Sequence, residues 1–225
     1  MRILAIDTAL EACSAAILDT GRDDGLISRS LPMTRGHAEA LMPLIATVMS
    51  DAGVEFAELD RIAVTVGPGS FTGLRVGVAA ARAIALAAGK PVVGLTTLAA
   101  LAAPFFEDAG SALMSVIDAR HDRVYMQLFG PGGRSLVAPR IATVHIAIHA
   151  ALAGPIRIIG NAAAMIGDAW PANEPKPPLV YARAPDIAWV ARLGAATHDL
   201  TSPVRPLYLS EADAHPQEAG ILPRR

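Results

Sequence analysis

The order of apolar segments in the first hundred residues constrains the fold more than any other feature of the sequence. RILAID and CSAAILD are strand-like runs joined by a short polar connection, and the turn GRDDG separates the second run from LISRSL. A helical pattern at 37–52 precedes a buried-type strand at 61–66 and a helix at 73–88 with Thr72 as its N-cap. PVVGL then predicts a strand, and Thr96 can cap another short helix. This βββαβαβα order predicts a mixed sheet covered by helices.

A second set of segments follows. ALMSVID and VYMQLFG predict a hairpin around ARHDR, and further strands are expected near 135–144 and at IRIIG. A short helix lies between those two strands, another helix starts at Asn161, and PDIAWVARLGAATHDL predicts a last helix. The two halves resemble each other as related lobes. We therefore predict a lobe at 1–103, a smaller lobe at 104–209 and a polar, flexible tail at 210–225.

Composition limits the partners and the compartment. The formal net charge of -2 over 225 residues excludes a general basic surface, so tight unassisted binding of nucleic acid is not expected. The single cysteine, Cys13, excludes an internal disulfide framework and fits a reducing compartment. Asp7 interrupts the first apolar run too early for a signal peptide, and the most apolar stretch, 76–88, is short for a membrane span and contains Arg82. We expect a cytoplasmic chain without a membrane segment.

The segment VGPGSFTGLRVG, between a strand and a helix, raises the question of phosphate binding. Its glycines, Gly67, Gly69 and Gly73, are spaced one residue off the dinucleotide fingerprint, and the G-K-[ST] ending of a P-loop is missing. The helix N-terminus could still attract an anion, whereas a tight turn and close packing also explain the glycines. On a helical wheel Gly73, Gly77 and Ala81 belong to a stripe of small residues, which fits either the core or a partner helix.

Histidine spacing argues against a metal site. His37 opens the first long helix, and the residue four positions on, where a second ligand would lie on the same face, is Leu41. His145 and His149 have the i, i+4 spacing, but HIAIH lacks the glutamate of H-E-x-x-H and has no third ligand nearby. We predict that the chain holds no metal.

Two aspartates end strands in the two halves of the chain. Asp7 follows the first strand, and Asp118 ends a strand of the second half. In two related lobes, such carboxylates can face each other across a cleft and hold a metal-nucleotide. They can equally cap the turns that follow them by accepting hydrogen bonds from backbone N–H groups. The sequence leaves both interpretations open.

Five motifs in order carry a resemblance to a known family. They are ILAIDTALEACSAAILD, GHAEALMPLI, VGPGSFTGLRVGV, PVVGLTTLAALA and IDARHDRVY, and the resemblance covers about residues 1–129. With them the chain resembles the TsaB (YeaZ) family. The resemblance implies an α/β fold of the actin, Hsp70 and sugar-kinase-like (ASKHA) type, with two related lobes whose mixed sheets are covered by helices. It also implies a non-catalytic subunit that works with TsaD and the ATPase TsaE in N6-threonylcarbamoylation of the adenosine adjacent to the anticodon in tRNA.

The same resemblance implies that catalytic features are lost. TsaD-like catalytic chains carry an H-x-x-x-H metal pair where this sequence has His37 and Leu41. Actin-like ATPases usually carry glycine in the hairpin after the first aspartate, where this sequence has Thr8 and Ala9. We expect no required cofactor and at most weak binding of ATP or ADP in a vestigial nucleotide cleft. The residues expected at this cleft are Asp7, Thr8, Asp118, Gly160 and Asn161.

Two other functions are weighed against this one. The first is a small actin-fold ATPase or phosphotransferase that uses Asp7 and Asp118 around a magnesium nucleotide. Turnover of ATP by the isolated chain, lost in Asp7→Asn, would favour it. The second is a metallopeptidase, which Leu41 at the second ligand position argues against.

The expected partners are TsaD in a heterodimer, TsaE, a second copy when TsaD is absent, and tRNA only as part of the complex. The apolar arc of the helix at 37–52 is roughly 160° wide, whereas a helix on one core needs about 100°. We therefore predict that its shoulder and the small-residue stripe of the next helix contact the partner. The interface residues of this prediction are Met42, Ile45, Met49, Gly73, Gly77 and Ala81.

Overall fold

The first half of the chain forms a five-stranded mixed sheet. The structure, a computed structural model, describes residues 1–107, 111–198, 200 and 202–209. The sheet has the order β3-β2-β1-β4-β5, with β1–β3 antiparallel and β4 and β5 parallel to β1. Its strands are β1 (Arg2–Asp7), β2 (Ala12–Asp19), β3 (Leu26–Pro32), β4 (Arg61–Gly67) and β5 (Val92–Thr96).

Two long helices cover one face of this sheet. They are α1 (His37–Ala52) and α2 (Phe71–Ala88), and each ends at a glycine in the left-handed conformation, Gly53 and Gly89, as the sequence predicts. A short helix, α3 (Thr97–Ala102), follows β5 and is capped by the Thr96 side chain, so the predicted βββαβαβα order is confirmed. One-turn 3-10 helices add to the pattern at Phe56–Glu58, Ala103–Phe105 and Pro131–Gly133.

The second half repeats the strand arrangement of the first. Its sheet has the order β10-β9-β6-β7-β8, with β6–β8 antiparallel and β9 and β10 continuing parallel to β6. The predicted hairpin at ARHDR is the connection of β6 and β7. The strands are β6 (Ala112–Asp118), β7 (Arg123–Phe129), β8 (Ser135–Thr143), β9 (Ile156–Ile159) and β10 (Leu179–Val180), and the helices beside them are α4 (Val144–Ala151) and α5 (Ala163–Asp168). Two lobes of matching topology result.

The last helix, α6 (Ile187–Ala196), returns to the first sheet. It packs with Ala5 and Ala16, whereas α1 and α2 pack with Leu4 and Ile6, so the helices cover opposite faces of the sheet. This helix and Val204, which lies in the first core, fall within the range 104–209 that the sequence assigns to the second lobe. They belong by packing to the first lobe because their apolar side chains complete its core. The predicted tail at 210–225 lies outside the described residues.

The two lobes share buried apolar contacts. One cluster joins Leu10, Leu74 and Leu98 of the first lobe to Ile117 and Phe129 of the second. The Ser115 hydroxyl on β6 also donates a buried hydrogen bond to the Leu98 carbonyl oxygen at 2.7 Å. Helix α3 lies at the junction and contacts β4 and β5 as well as β6 and β7. The cleft between the lobes therefore rests on a continuous hydrophobic floor.

Helix α2 is unusually apolar for a helix on a sheet. It has 18 residues, and among the described helices it alone is long and apolar enough, by length and composition, to cross a membrane. One side of it packs on β4, and 39% of its residues are buried. The apolar helix is therefore longer than the apolar stretch 76–88 identified in the sequence, because it begins at Phe71.

Candidate functional site

A cavity of about 460 Å³ lies where the lobes meet. The first lobe lines it with the connection between β1 and β2 and with the loop before α2, and the second lobe lines it with the end of β6 and with Asn161, the second residue after β9. The polar residues of the lining are Glu11, Thr34, Ser70, Asp118, Arg120, Tyr125 and Asn161. A larger groove of about 830 Å³ lies within the second lobe, beside α4 and α5, and shares none of these residues.

Asp7 is fully buried and does not line the cleft. Its Oδ1 accepts hydrogen bonds from the Thr65 hydroxyl at 2.5 Å and from the Ala9 N–H at 3.2 Å. Its Oδ2 has no hydrogen-bond partner within the described part of the chain. Burial raises the pKa of this carboxyl to about 6, although the two hydrogen bonds oppose the shift. Asp7 therefore caps the turn after β1, which is the turn-capping interpretation given for it from the sequence.

Asp118 and Asn161 do line the cleft. The Asp118 Oδ1 accepts a hydrogen bond from the Arg120 N–H at 2.7 Å, so this carboxylate also caps the turn that follows its strand. The Asp118 N–H donates to the Asn161 Oδ1 at 2.9 Å and thus joins the end of β6 to the turn after β9. Both residues therefore lie where a ligand of the cavity could contact them.

The other two predicted cleft residues have structural roles. Thr8 is buried, and its hydroxyl donates to the Gly73 carbonyl oxygen at 2.7 Å. Gly160 has φ +132°, and a Cβ at this position would lie 1.9 Å from the Val116 carbonyl oxygen. Only glycine permits this approach of β9 to β6. Neither residue lines the cavity. Of the five predicted cleft residues, Asp118 and Asn161 line it, whereas Asp7, Thr8 and Gly160 do not.

The glycine loop packs against the connection of β1 and β2. A Cβ at Gly73 would lie 2.1 Å from the Thr8 carbonyl oxygen, and one at Gly69 would lie 2.4 Å from the Ala9 carbonyl oxygen. The Ser70 N–H donates to that same Ala9 oxygen at 2.8 Å. Ser70 also caps α2 through its hydroxyl, so the prediction of Thr72 as the N-cap is wrong by two residues. Close packing thus explains the glycines.

The histidine at the start of α1 is held inside the protein. His37 lies in the core, and its Nε2–H donates to the Leu10 carbonyl oxygen at 3.2 Å, since a carbonyl can only accept. Leu41, at the position of a second metal ligand, is 1% exposed and packs in the core of the first lobe. Within the described residues, no three His, Cys, Asp or Glu side chains are grouped as a metal site would need.

The structure corrects the predicted partner interface. Among its six residues only Met42 is exposed, at 49%. Ile45 and Met49 lie in the core because α1 is flanked by both α2 and β3, so the apolar arc is covered within the chain except at Met42. The small-residue stripe also faces inward: Gly73, Gly77 and Ala81 are buried, and a Cβ at Gly77 would lie 2.4 Å from the Thr8 hydroxyl oxygen.

Apolar residues on the opposite side of α2, which were not predicted from the sequence, are exposed. We call the outward surface of the two long helices the α1/α2 face, and its apolar members are Met42 and Ala46 on α1 and Ala79, Ala83 and Leu86 on α2. Leu86 is 86% exposed. The available signal was that α2 is apolar on both sides, whereas a helix on one core shows a polar outer side.

Comparisons with known proteins agree with this architecture. The family model described as "TsaD: tRNA N6-adenosine threonylcarbamoyltransferase" matches residues 32–181. The chain is 36% identical over 127 residues to the tRNA threonylcarbamoyladenosine biosynthesis protein TsaB of Escherichia coli, covering 56% of this chain and about half of that protein, 53%. An uncharacterized protein of Mycobacterium bovis is 34% identical over 220 residues, covering 95% of this chain and 94% of its own. The solved structure of YeaZ from Pseudomonas aeruginosa has a TM-score of 0.76 at 26% identity, covering 92% of this chain and 99% of that one.

The chain has two lobes of matching topology. Apolar contacts join the lobes, and a cleft lies between them near the ends of β1 and β6. These features define a protein of the actin, Hsp70 and sugar-kinase-like (ASKHA) fold. The predicted fold class is therefore confirmed. With the TsaD family model matching two thirds of its residues, the chain belongs to this family, on its TsaB (YeaZ) side.

Proposed function

We propose that this chain is a non-catalytic subunit in tRNA threonylcarbamoyladenosine biosynthesis. In this proposal it docks on a TsaD-type chain, which carries out the N6-threonylcarbamoylation of the adenosine adjacent to the anticodon, and TsaE completes the complex. The observation that carries the proposal is the α1/α2 face, because it exposes apolar side chains on two neighbouring helices of the first lobe, one of them α2, which is long and apolar.

The exposure of the α1/α2 face is hard to explain in an isolated chain. Burying apolar surface contributes about 25 cal/mol per Å², so a fully exposed leucine forgoes about 2 kcal/mol. Leu86 and Met42 lie on neighbouring helices, and the other apolar members of the face are alanines, whose small side chains let a partner helix approach closely. A helix pair laid across this face would make a four-helix contact. We propose the same face for pairing with a second copy when the TsaD-type chain is absent.

The net charge of the chain and the residues of the cleft support the proposals on tRNA binding and on nucleotide binding. The formal net charge of -2 leaves tRNA binding to the complex as a whole, and the compartment we propose is the cytoplasm. The chain requires no cofactor in this proposal. Asp118 and Asn161 support weak binding of ATP or ADP, since they are the predicted cleft residues that reach the cavity.

The experiment compares two leucine variants of the full chain. Leu86→Glu places a charge on the α1/α2 face, and Leu152→Glu places the same charge on a leucine of the second lobe that is 42% exposed. Size-exclusion chromatography with the TsaD-type chain should show that Leu86→Glu loses the complex while Leu152→Glu keeps it. Circular dichroism and thermal melting should be near wild type for both, because both side chains are already exposed. A Leu86→Glu chain that folds and still binds normally would contradict the proposal.

A further inference from the structure

Among the described residues, the exposed charges of α1 and α2 without an ion-pair partner are Arg75, Arg82 and Glu39, two positive and one negative. Helix α2 contains two exposed arginines, Arg75 and Arg82, and no acidic residue over its 18 residues. On α1 the exposed acid of the last turn, Asp51, is already paired with Arg29 at 2.8 Å, which leaves Glu39 at the opposite end. The whole chain is slightly acidic, so this local excess of positive charge is a property of the face and not of the composition.

Arg75 is held in place by two aromatic rings. Its guanidinium carbon lies 3.8 Å from the centre of the Phe71 ring, and its Nε donates to the Tyr208 hydroxyl at 3.2 Å. Phe71 and Tyr208 contact each other with ring centres 5.5 Å apart, and both rings are about half exposed. The cation–π contact and the hydrogen bond fix the side chain before binding, so less conformational entropy is lost when a partner engages it.

Arg82 has no ion-pair partner in the part of the chain that the structure describes. It lies one turn before Leu86, and among the described residues no carboxylate is within ion-pair distance of its guanidinium. A partner that covers Leu86 also approaches this charge and removes water from it. An arginine beside a buried apolar contact is favourable when a carboxylate faces it and unfavourable when another cation does.

A second copy of this chain would bring like charges together. In a two-fold dimer the same patch meets itself, so two patches that each carry an excess of positive charge face one another. We infer that the α1/α2 face selects a partner that carries carboxylates opposite Arg75 and Arg82 over a second copy of this chain. The inference rests on the proposed function, since that function places a partner on this face, and it adds the chemistry by which the partner is chosen.

The test uses Arg82→Gln in the full chain, with Arg192→Gln as the matched control. Arg192 lies on α6, which covers the opposite face of the first sheet. Isothermal calorimetry or surface plasmon resonance should show Arg82→Gln weakening the complex with the TsaD-type chain by about fivefold. Analytical ultracentrifugation should show the same variant strengthening self-association. The control should change neither equilibrium.

Salt provides a second measurement with opposite signs for the two complexes. Raising the salt concentration from about 50 mM to about 500 mM should slow association with the TsaD-type chain by about tenfold, because screening removes the attraction. The same change should strengthen self-association, because screening removes a repulsion. If Arg82→Gln moves both equilibria in one direction, or if salt leaves association with the TsaD-type chain unchanged, the inference is overturned. If the wild-type chain forms no complex with the TsaD-type chain at any salt concentration, the proposed function fails as well.

One further variant separates a partner from the chain itself. Glu211, Asp213 and Glu218 lie outside the described residues and supply acids close in sequence to Tyr208. Replacing them with Gln, Asn and Gln should leave the salt dependence of the complex unchanged. A salt dependence that disappears with these residues would assign the arginines to the chain's own C-terminal segment and overturn the inference.

Discussion

Asp7 and Asp118 end the corresponding strands of the two lobes, and their surroundings differ sharply. Each accepts a hydrogen bond from the N–H two residues further on, so the turn chemistry is the same in both lobes. Asp7 is sealed from solvent, whereas Asp118 lies at the mouth of the cleft. The seal consists of the glycine loop and the start of α2, which pack on Thr8 and Ala9.

The two strand ends therefore differ in what they contact. In the first lobe the residues after β1 support the glycine loop and the start of α2. In the second lobe the end of β6 lines the cavity between the lobes. In the proposed function the first lobe docks the partner, and a ligand of the cavity would contact the end of β6.

The largest expected effect comes from disrupting the packing of α2 on the residues after β1, which keeps Asp7 away from solvent in the first lobe. Gly73→Ala should lower the free energy of unfolding by about 4 kcal/mol or prevent folding, because the new Cβ would lie 2.1 Å from the Thr8 carbonyl oxygen. Urea unfolding followed by circular dichroism measures the change. Gly154→Ala, where a Cβ meets nothing within 4 Å, is the control and should be near neutral. A well-folded Gly73→Ala chain of wild-type stability would contradict the statement that the start of α2 packs tightly on the residues after β1.

The next effect concerns the sealed carboxyl and its pH dependence. Because burial raises the pKa of Asp7 from 3.8 to about 6, the folded state binds this proton more tightly than the unfolded state does. The contribution of Asp7 to stability is therefore fully present below about pH 4 and is lost as the pH rises through about 6. In Asp7→Asn, stability relative to wild type should rise by up to about 3 kcal/mol between these limits.

Melting temperatures of wild type and Asp7→Asn across this pH range measure the difference. The matched variant is Asp118→Asn, which changes the same side chain at the strand end of the other lobe. If the stability difference between Asp7→Asn and wild type were flat with pH, Asp7 would not be the buried, proton-binding group that the first lobe is argued to contain.

How much of this the sequence shows depends on whether a feature is local. Periodicity and turn residues predict three local features: the strand and helix order, the glycines that end α1 and α2, and the β6–β7 hairpin. All three are confirmed. The burial of Ile45 and Met49 does not follow from periodicity, because it depends on β3 and α2 lying on both sides of α1. The return of α6 to the first sheet is likewise set by tertiary packing over a separation of more than a hundred residues.

The smallest expected effect lies in the second lobe. Asn161→Ala removes the acceptor of the Asp118 N–H and should lower the free energy of unfolding by about 1 kcal/mol. It should also weaken whatever ATP or ADP binding calorimetry detects, while the complex with the TsaD-type chain stays intact. Loss of that complex in a folded Asn161→Ala chain would move the docking surface toward the cleft.

The most direct test of the central claim is tRNA modification in a reconstituted mixture of this chain, the TsaD-type chain and TsaE. N6-threonylcarbamoyladenosine is measured by mass spectrometry for Leu86→Glu, on the α1/α2 face, and for Asp118→Ala, in the cleft. The account predicts a loss of about tenfold or more for Leu86→Glu, as expected when the centre of an interface is disrupted, and activity within about twofold of wild type for Asp118→Ala. Loss of modification in a folded Asp118→Ala chain, with Leu86→Glu fully active, would contradict it.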